Sequence, residues 1–124
     1  RLRPEIRQDK LTQDQSIRFA RFFELMQSHF HQIRDANWYA QQINTTYKTL
    51  NIVCKLATGL TAKQMIDAFT IIEIKRRLVV SHTPSQQMAY DFGFEDASNF
   101  VKYFKNLTGL TPSQFSQKYK NPTL

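Results

Sequence analysis

The chain repeats itself at an offset of 50 residues, and this repeat constrains its fold more than any other feature. Thr58-Gly59-Leu60-Thr61 returns as Thr108-Gly109-Leu110-Thr111. Around it Lys55 matches Lys105, Gln64 matches Gln114, Leu50 matches Phe100 and Cys54 matches Phe104. Self-similarity at a fixed period marks a supersecondary unit used more than once. Each copy reads as a short helix, a tight turn, a longer helix and a glycine stop. That is the helix-turn-helix layout, in which the second helix enters the major groove of DNA. Upstream the match drifts by one, because Ala40 to Thr46 is one residue shorter than Ala89 to Asp96.

Hydrophobic periodicity fills in the elements. Phe19, Phe22, Phe23, Met26, Phe30 and Ile33 recur at three- and four-residue steps, predicting an amphipathic helix over 12–34. Thr12 and Gln15 suit a capping box at its start, and residues 1–11 read as the loose end of a linker. The Phe stripe reads as core packing in preference to a self-association surface. A short helix over 36–43 follows, then a break at Asn44-Thr45-Thr46, whose side chains favour caps and turns. The next helix, 46–57, is expected to carry Leu50, Val53, Cys54 and Leu56 inward and to stop at Gly59.

Thr61 then opens a long helix to residue 80, apolar on several sides through Met65, Ile66, Phe69, Ile72, Ile74 and Leu78. Its length of roughly 30 Å, at 1.5 Å per residue, suits a spacer between two groove readers roughly 34 Å apart. In the second copy Thr83 is expected to cap a short helix with Pro84 at its first position. Gly93 permits the tight turn, and Asp96 caps a helix with Phe100, Tyr103, Phe104 and Leu107 on its stripe. Thr111-Pro112 opens the last helix, to about residue 119. No period-two alternation occurs. The expected fold is all-α: a leading segment 1–35, a first helix-turn-helix unit 36–60, a linker helix 61–82 and a second unit 83–124.

The charges sharpen this reading. Seventeen basic residues against ten acidic ones give a formal charge of +7, which favours a polyanionic partner. All ten acids lie outside two windows, 36–66 and 97–124, which hold Lys48, Lys55 and Lys63, and Lys102, Lys105, Lys118 and Lys120. Each window covers the second helix of one copy. Taken alone, the windows would read as solvated helix faces; the repeat gives them a partner.

The stretch Met88-Ala89, Gly93-Phe94-Glu95-Asp96-Ala97-Ser98-Asn99-Phe100, Phe104-Lys105 and Thr108-Gly109-Leu110-Thr111-Pro112 resembles the signature of the AraC/XylS family of bacterial regulators. Tyr39-Ala40, Leu50 and Thr58-Gly59 resemble the weaker first copy, and Glu73-Ile74-Lys75-Arg76-Arg77-Leu78 resembles the end of the family's linker helix. The resemblance runs over about 38–119. The chain departs from the family at Thr70, where Arg is usual, at Ile74, where a small Ala is usual, at Cys54, where Phe is usual, and at Pro84-Ser85.

The resemblance implies sequence-specific binding to double-stranded DNA and control of transcription. It implies base readers at Lys48, Asn51 and Ile52 in the first unit and at Ser98, Asn99 and Lys102 in the second. Asn suits adenine, Lys suits guanine acceptors, and Ile52 suits a thymine methyl. Thr46, Tyr47, Lys55, Lys105 and the N-terminal amides of the reading helices are cast as phosphate contacts. RNA polymerase is the expected protein partner, and any small-molecule effector is expected to act through a domain outside this chain. The start at Arg1 fits a fragment, and a chain with two readers suits binding as a monomer.

Other chemistries find little support in the residues. The single Cys cannot form an internal disulfide and fits a reducing, cytoplasmic setting; Cys54 reads as a small core residue. No apolar run approaches a membrane span. His29 and His31 fall on different helix faces and His82 has no Cys nearby, so no metal or other cofactor is expected. No nucleophile–base set, Gly-rich phosphate loop or carboxylate pair points to an enzyme. The alternative is a helical module that binds transcription machinery, with DNA contact weak or absent.

Overall fold

A computed structural model describes residues 11–119, which form α-helices and no strand. The helices are α1 (Gln13–His29), α2 (Ala36–Gln42), α3 (Tyr47–Thr58), α4 (Ala62–Val80), α5 (Ser85–Asp91), α6 (Ala97–Thr108) and α7 (Pro112–Lys118). Contacts divide the chain into two compact units, with Phe69 closing the first and Thr70 opening the second. The division falls inside α4, so each unit uses part of this helix. The linker expected over 1–11 lies outside the described residues except for Leu11, which packs on the core; Lys120 also lies outside them.

In the first unit the Phe stripe of α1 is core, as expected. Phe19, Phe22 and Met26 are buried with Tyr39, Leu50, Val53 and Cys54, and the partly buried Phe23 and Phe69 pack against that cluster. Phe22 meets Tyr39 edge-on at 5.7 Å, and Phe23 meets Phe69 edge-on at 5.6 Å. Each large apolar side chain withdrawn from water contributes about 1.5–3 kcal/mol. Burial pushes the Tyr39 hydroxyl up to about 12, despite the opposing charge of Arg34, so it stays protonated and donates to the Ile33 carbonyl at 2.6 Å. Cys54 is a core thiol, which burial likewise pushes up to about 12.

The second unit builds its core from Leu78, Met88, Ala89, Phe92, Phe100, Phe104 and Phe115, all buried. Phe100 touches Phe94 and Phe104, and Phe104 meets Phe115 edge-on at 5.7 Å. Arg77 pairs with Asp91 and lies 5.4 Å from the Phe92 ring centre, tying α4 to α5. Its guanidinium, helped by the Gln87 amide, holds the Asp91 carboxyl below the usual carboxylate range.

The repeated Thr-Gly-Leu-Thr is a stop, turn and start in four residues. The Thr58 hydroxyl donates to the Cys54 carbonyl at 2.8 Å and accepts the Leu60 amide at 3.0 Å. Thr108 does the same with Phe104 and Leu110, at 2.8 and 3.2 Å. Gly59 and Gly109 each stand at φ +83°, the left-handed cap a β-carbon disfavours. Thr61 with Gln64, and Thr111 with Gln114, then form reciprocal capping boxes that open α4 and α7.

Several local expectations need correction. α1 stops at His29, five residues short of 34, because other groups take the carbonyls beyond it. Arg34 donates to the Phe30 and His31 carbonyls, both at 3.3 Å, and Tyr39 takes that of Ile33. Asp35, in extended backbone, then caps α2 by accepting the Asn37 amide. Pro84 is itself the cap of α5, without a side-chain hydrogen bond, so Thr83 does not cap and Pro84 is not the first helical residue. Leu56 points outward at 37% exposure while the neighbouring Ala57 is buried, and Leu107 is likewise 45% exposed.

Candidate nucleic-acid interface

The repeat survives in three dimensions. α3 and α6 are both 12 residues long, with bounds that match at the offset of 50. Ahead of them, Asn44 and Gly93 hold the left-handed turn at φ 57° and 71°. The Thr45 amide reaches Ala40 at 2.9 Å, and the Phe94 amide reaches Ala89 at 2.8 Å. Glu95 is the extra residue of the second turn. These bonds fix the angle at which α3 leaves α2 and α6 leaves α5, within each unit by itself.

Burial then decides which side α3 and α6 each present. Leu50, Val53, Cys54 and Ala57 are buried along α3, and Phe100 and Phe104 along α6. The opposite face of α3 carries Lys48, Ile52 and Lys55 at steps of four and three, with Leu56 beside them, all exposed. The corresponding face of α6 carries Ser98, Lys102 and Lys105, with Asn106 and Asn99 beside them, again all exposed. Among the described residues no carboxylate pairs with Lys48, Lys55, Lys102 or Lys105. Lys63 differs: its ammonium lies 2.8 Å from Asp67 one turn along α4.

The other expected site residues have structural duties. Thr46 caps α3, accepting the Thr49 amide at 3.1 Å and donating to the Thr49 hydroxyl at 2.9 Å. Tyr47 is 45% exposed in the first turn. Asn51 is half-buried, and its side-chain oxygen accepts the Ala62 amide at 2.9 Å, closing the corner between α3 and α4. Asn99 keeps its side chain at the surface, where its amide nitrogen lies 3.5 Å from Glu95.

The two helix starts differ electrostatically. Both present backbone amides and the positive end of a helix dipole. α3 is capped by the neutral Thr46, whereas α6 is capped by the Asp96 carboxylate, 2.8 Å from the Asn99 amide, with Glu95 beside it. A phosphate is therefore better received at the start of α3 than at that of α6.

Two features of these faces escape sequence reasoning. Leu56 and Asn106 belong to the outward faces. The positions of Leu50, Val53, Cys54 and Ala57 around α3 place Leu56 outward, whereas its apolar side chain alone argues for burial. The bond from Asn51 to Ala62 spans eleven residues, and only the comparison of the two copies could have hinted at it.

Among the described residues, no group of three or more His, Cys, Asp or Glu could hold a metal ion, and no helix is long and apolar enough to cross a membrane. The described geometry offers two basic helix faces of matched build.

A family model described as a helix-turn-helix domain matches residues 39–118, from the end of α2's first turn to the end of α7. The structure is similar to the C-terminal domain of AraT, a response regulator from Geobacillus stearothermophilus, with a TM-score of 0.72 and 20% identity. That likeness covers 82% of this chain and 84% of the other, and bears on the fold. No curated protein matches this chain in sequence. With the family model covering both helix pairs and the helix between them, the chain belongs to the AraC-type helix-turn-helix family of DNA-binding transcription regulators.

Proposed function

We propose that the chain binds duplex DNA in a sequence-specific manner, with α3 and α6 each lying in a major groove, and thereby controls transcription at that site. The observation that carries this reading is the pair of matched outward faces, each bearing lysines with no carboxylate partner. Lys48 and Ile52 on α3, and Ser98, Asn99 and Lys102 on α6, read base edges. Tyr47, Lys55, Lys105 and the first-turn amides of α3 hold phosphates, which position the helices without selecting sequence. Thr46 acts through the cap it forms for those amides, and Asn51 through the corner it closes. RNA polymerase is the protein partner this role calls for, and an effector signal reaches the chain from a separate domain.

Alanine at reading and phosphate-holding positions separates the two roles. Lys48→Ala or Lys102→Ala lowers affinity for a selected duplex by about 1–3 kcal/mol and relaxes preference at one position. Lys55→Ala or Lys105→Ala weakens all duplexes alike and lowers the salt slope by about 1. Specific binding unchanged in all four variants would refute the docking.

A further inference from the structure

In register, the two helices share Lys55 and Lys105 on their outward faces and differ at the other outward positions. Ile52 on α3 stands where α6 has Lys102, and Leu56 stands where α6 has Asn106. Ile52 is 49% exposed and Leu56 37%, one helical turn apart, with Lys48 and Lys55 alongside them. Single exposed apolar residues are ordinary on protein surfaces. Two adjacent ones, framed by lysines on a helix face, form an apolar strip in a setting suited to a polyanion. The polar neighbour Asn51 does not offset this, since Ala62 engages its side-chain oxygen. Along this strip of α3 the apolar groups thus add a means of discrimination beside Lys48, whereas α6 offers Ser98, Asn99, Lys102 and Asn106 as donors and acceptors.

Within the major groove, the apolar mark that distinguishes one base from another is the 5-methyl group of thymine. We propose that the two units read DNA by different chemistry: α3 selects its half-site through thymine methyls seated on Ile52 and Leu56, while α6 selects by hydrogen bonds. This rests on the sequence-specific docking proposed above and adds to it the chemical nature of each half-site. The half-site under α3 contains thymines that cannot be exchanged for cytosine, and the two half-sites are unlike.

Replacing thymine by deoxyuridine removes the methyl and leaves base pairing intact. A duplex selected by the whole chain is therefore substituted one thymine at a time, and affinity is measured for the parent, Ile52→Ala, Leu56→Ala and the double variant. The half-site whose base preference relaxes in Lys102→Ala belongs to α6. In the other half-site, each contacted thymine loses about fourfold in affinity when its methyl is removed, on the scale of one buried methylene. In the double variant that loss disappears, and deoxyuridine in the α6 half-site has no effect in any variant. A selected duplex indifferent to deoxyuridine, or a sensitivity that persists in the double variant, overturns the methyl reading while leaving specific docking intact. Failure to select any duplex overturns both.

Discussion

The two copies solve one problem in opposite ways, and exchanging the solutions tests the account of the corner between α3 and α4. Ala62 opens α4 with its amide fully buried, and the Asn51 side chain accepts it at 2.9 Å. At the same place in the second copy, Pro112 opens α7 and has no amide to satisfy, and Val101 stands where Asn51 would be. Asn51→Val therefore leaves a buried donor unpaired, which costs about 1–3 kcal/mol. Near the middle of that range, the melting temperature falls by on the order of 10 °C for a unit of this size. Ala62→Pro removes the donor at a first helical position that proline tolerates, and changes stability by less than about 1 kcal/mol apart from any crowding by the ring. In the double variant most of the Asn51→Val loss disappears. The ring's δ-carbon takes the place of the amide hydrogen aimed at Asn51, so any crowding falls on the exchanged residue and adds to the coupling. Denaturant unfolding of the four proteins gives the coupling, predicted at about 1–2 kcal/mol. Additive losses, or an Asn51→Val variant as stable as the parent, would refute the role given to this bond.

Other consequences follow from the same structure. Gly59→Ala and Gly109→Ala meet no atom within 4 Å, so each costs only the left-handed backbone, about 1–2 kcal/mol, read from the denaturation midpoint. Cys54, buried and pushed up to about 12, reacts with a thiol reagent only as fast as the first unit opens; fast labelling of the native protein would contradict its placement. Asp91 is held below its ordinary value of 3.8 by Arg77 and Gln87. Its contribution to stability is complete above the unfolded carboxylate's titration and is lost as pH falls through the lower folded value. Subtracting the acid-unfolding curve of Asp91→Asn from that of the parent should show this loss, and a difference that is flat with pH would exclude it.

Much of the fold was legible because the signals were local and repeated. The Thr-Gly-Leu-Thr device combines left-handed glycine with reciprocal caps, and each part has its own sequence mark. The Phe stripe of α1 and the cap at Asp96 were readable for the same reason. Errors arose where the deciding partner is distant or the pattern ambiguous. The end of α1 is set by Arg34 and Tyr39 taking carbonyls upstream, which no periodicity within α1 announces. Leu56 and Ala57 are adjacent, and hydrophobicity alone favours burying the larger; the positions of Leu50, Val53 and Cys54 around the helix bury the smaller. The candidate readers rest on the family resemblance. The structure adds that Lys48, Ile52, Ser98, Asn99 and Lys102 are exposed, while Asn51 is tied to Ala62.

The central claim is sequence-specific duplex binding by two reading helices. Its most direct test is selection of duplexes from a random pool by the whole chain, at about 50 and about 200 mM salt, followed by affinity measurements between those limits. The account predicts an asymmetric site with two unlike boxes, and log affinity falling with log salt by about 0.9 for each phosphate held. A pool that shows no enrichment at either salt, with a shallow salt slope, would contradict it.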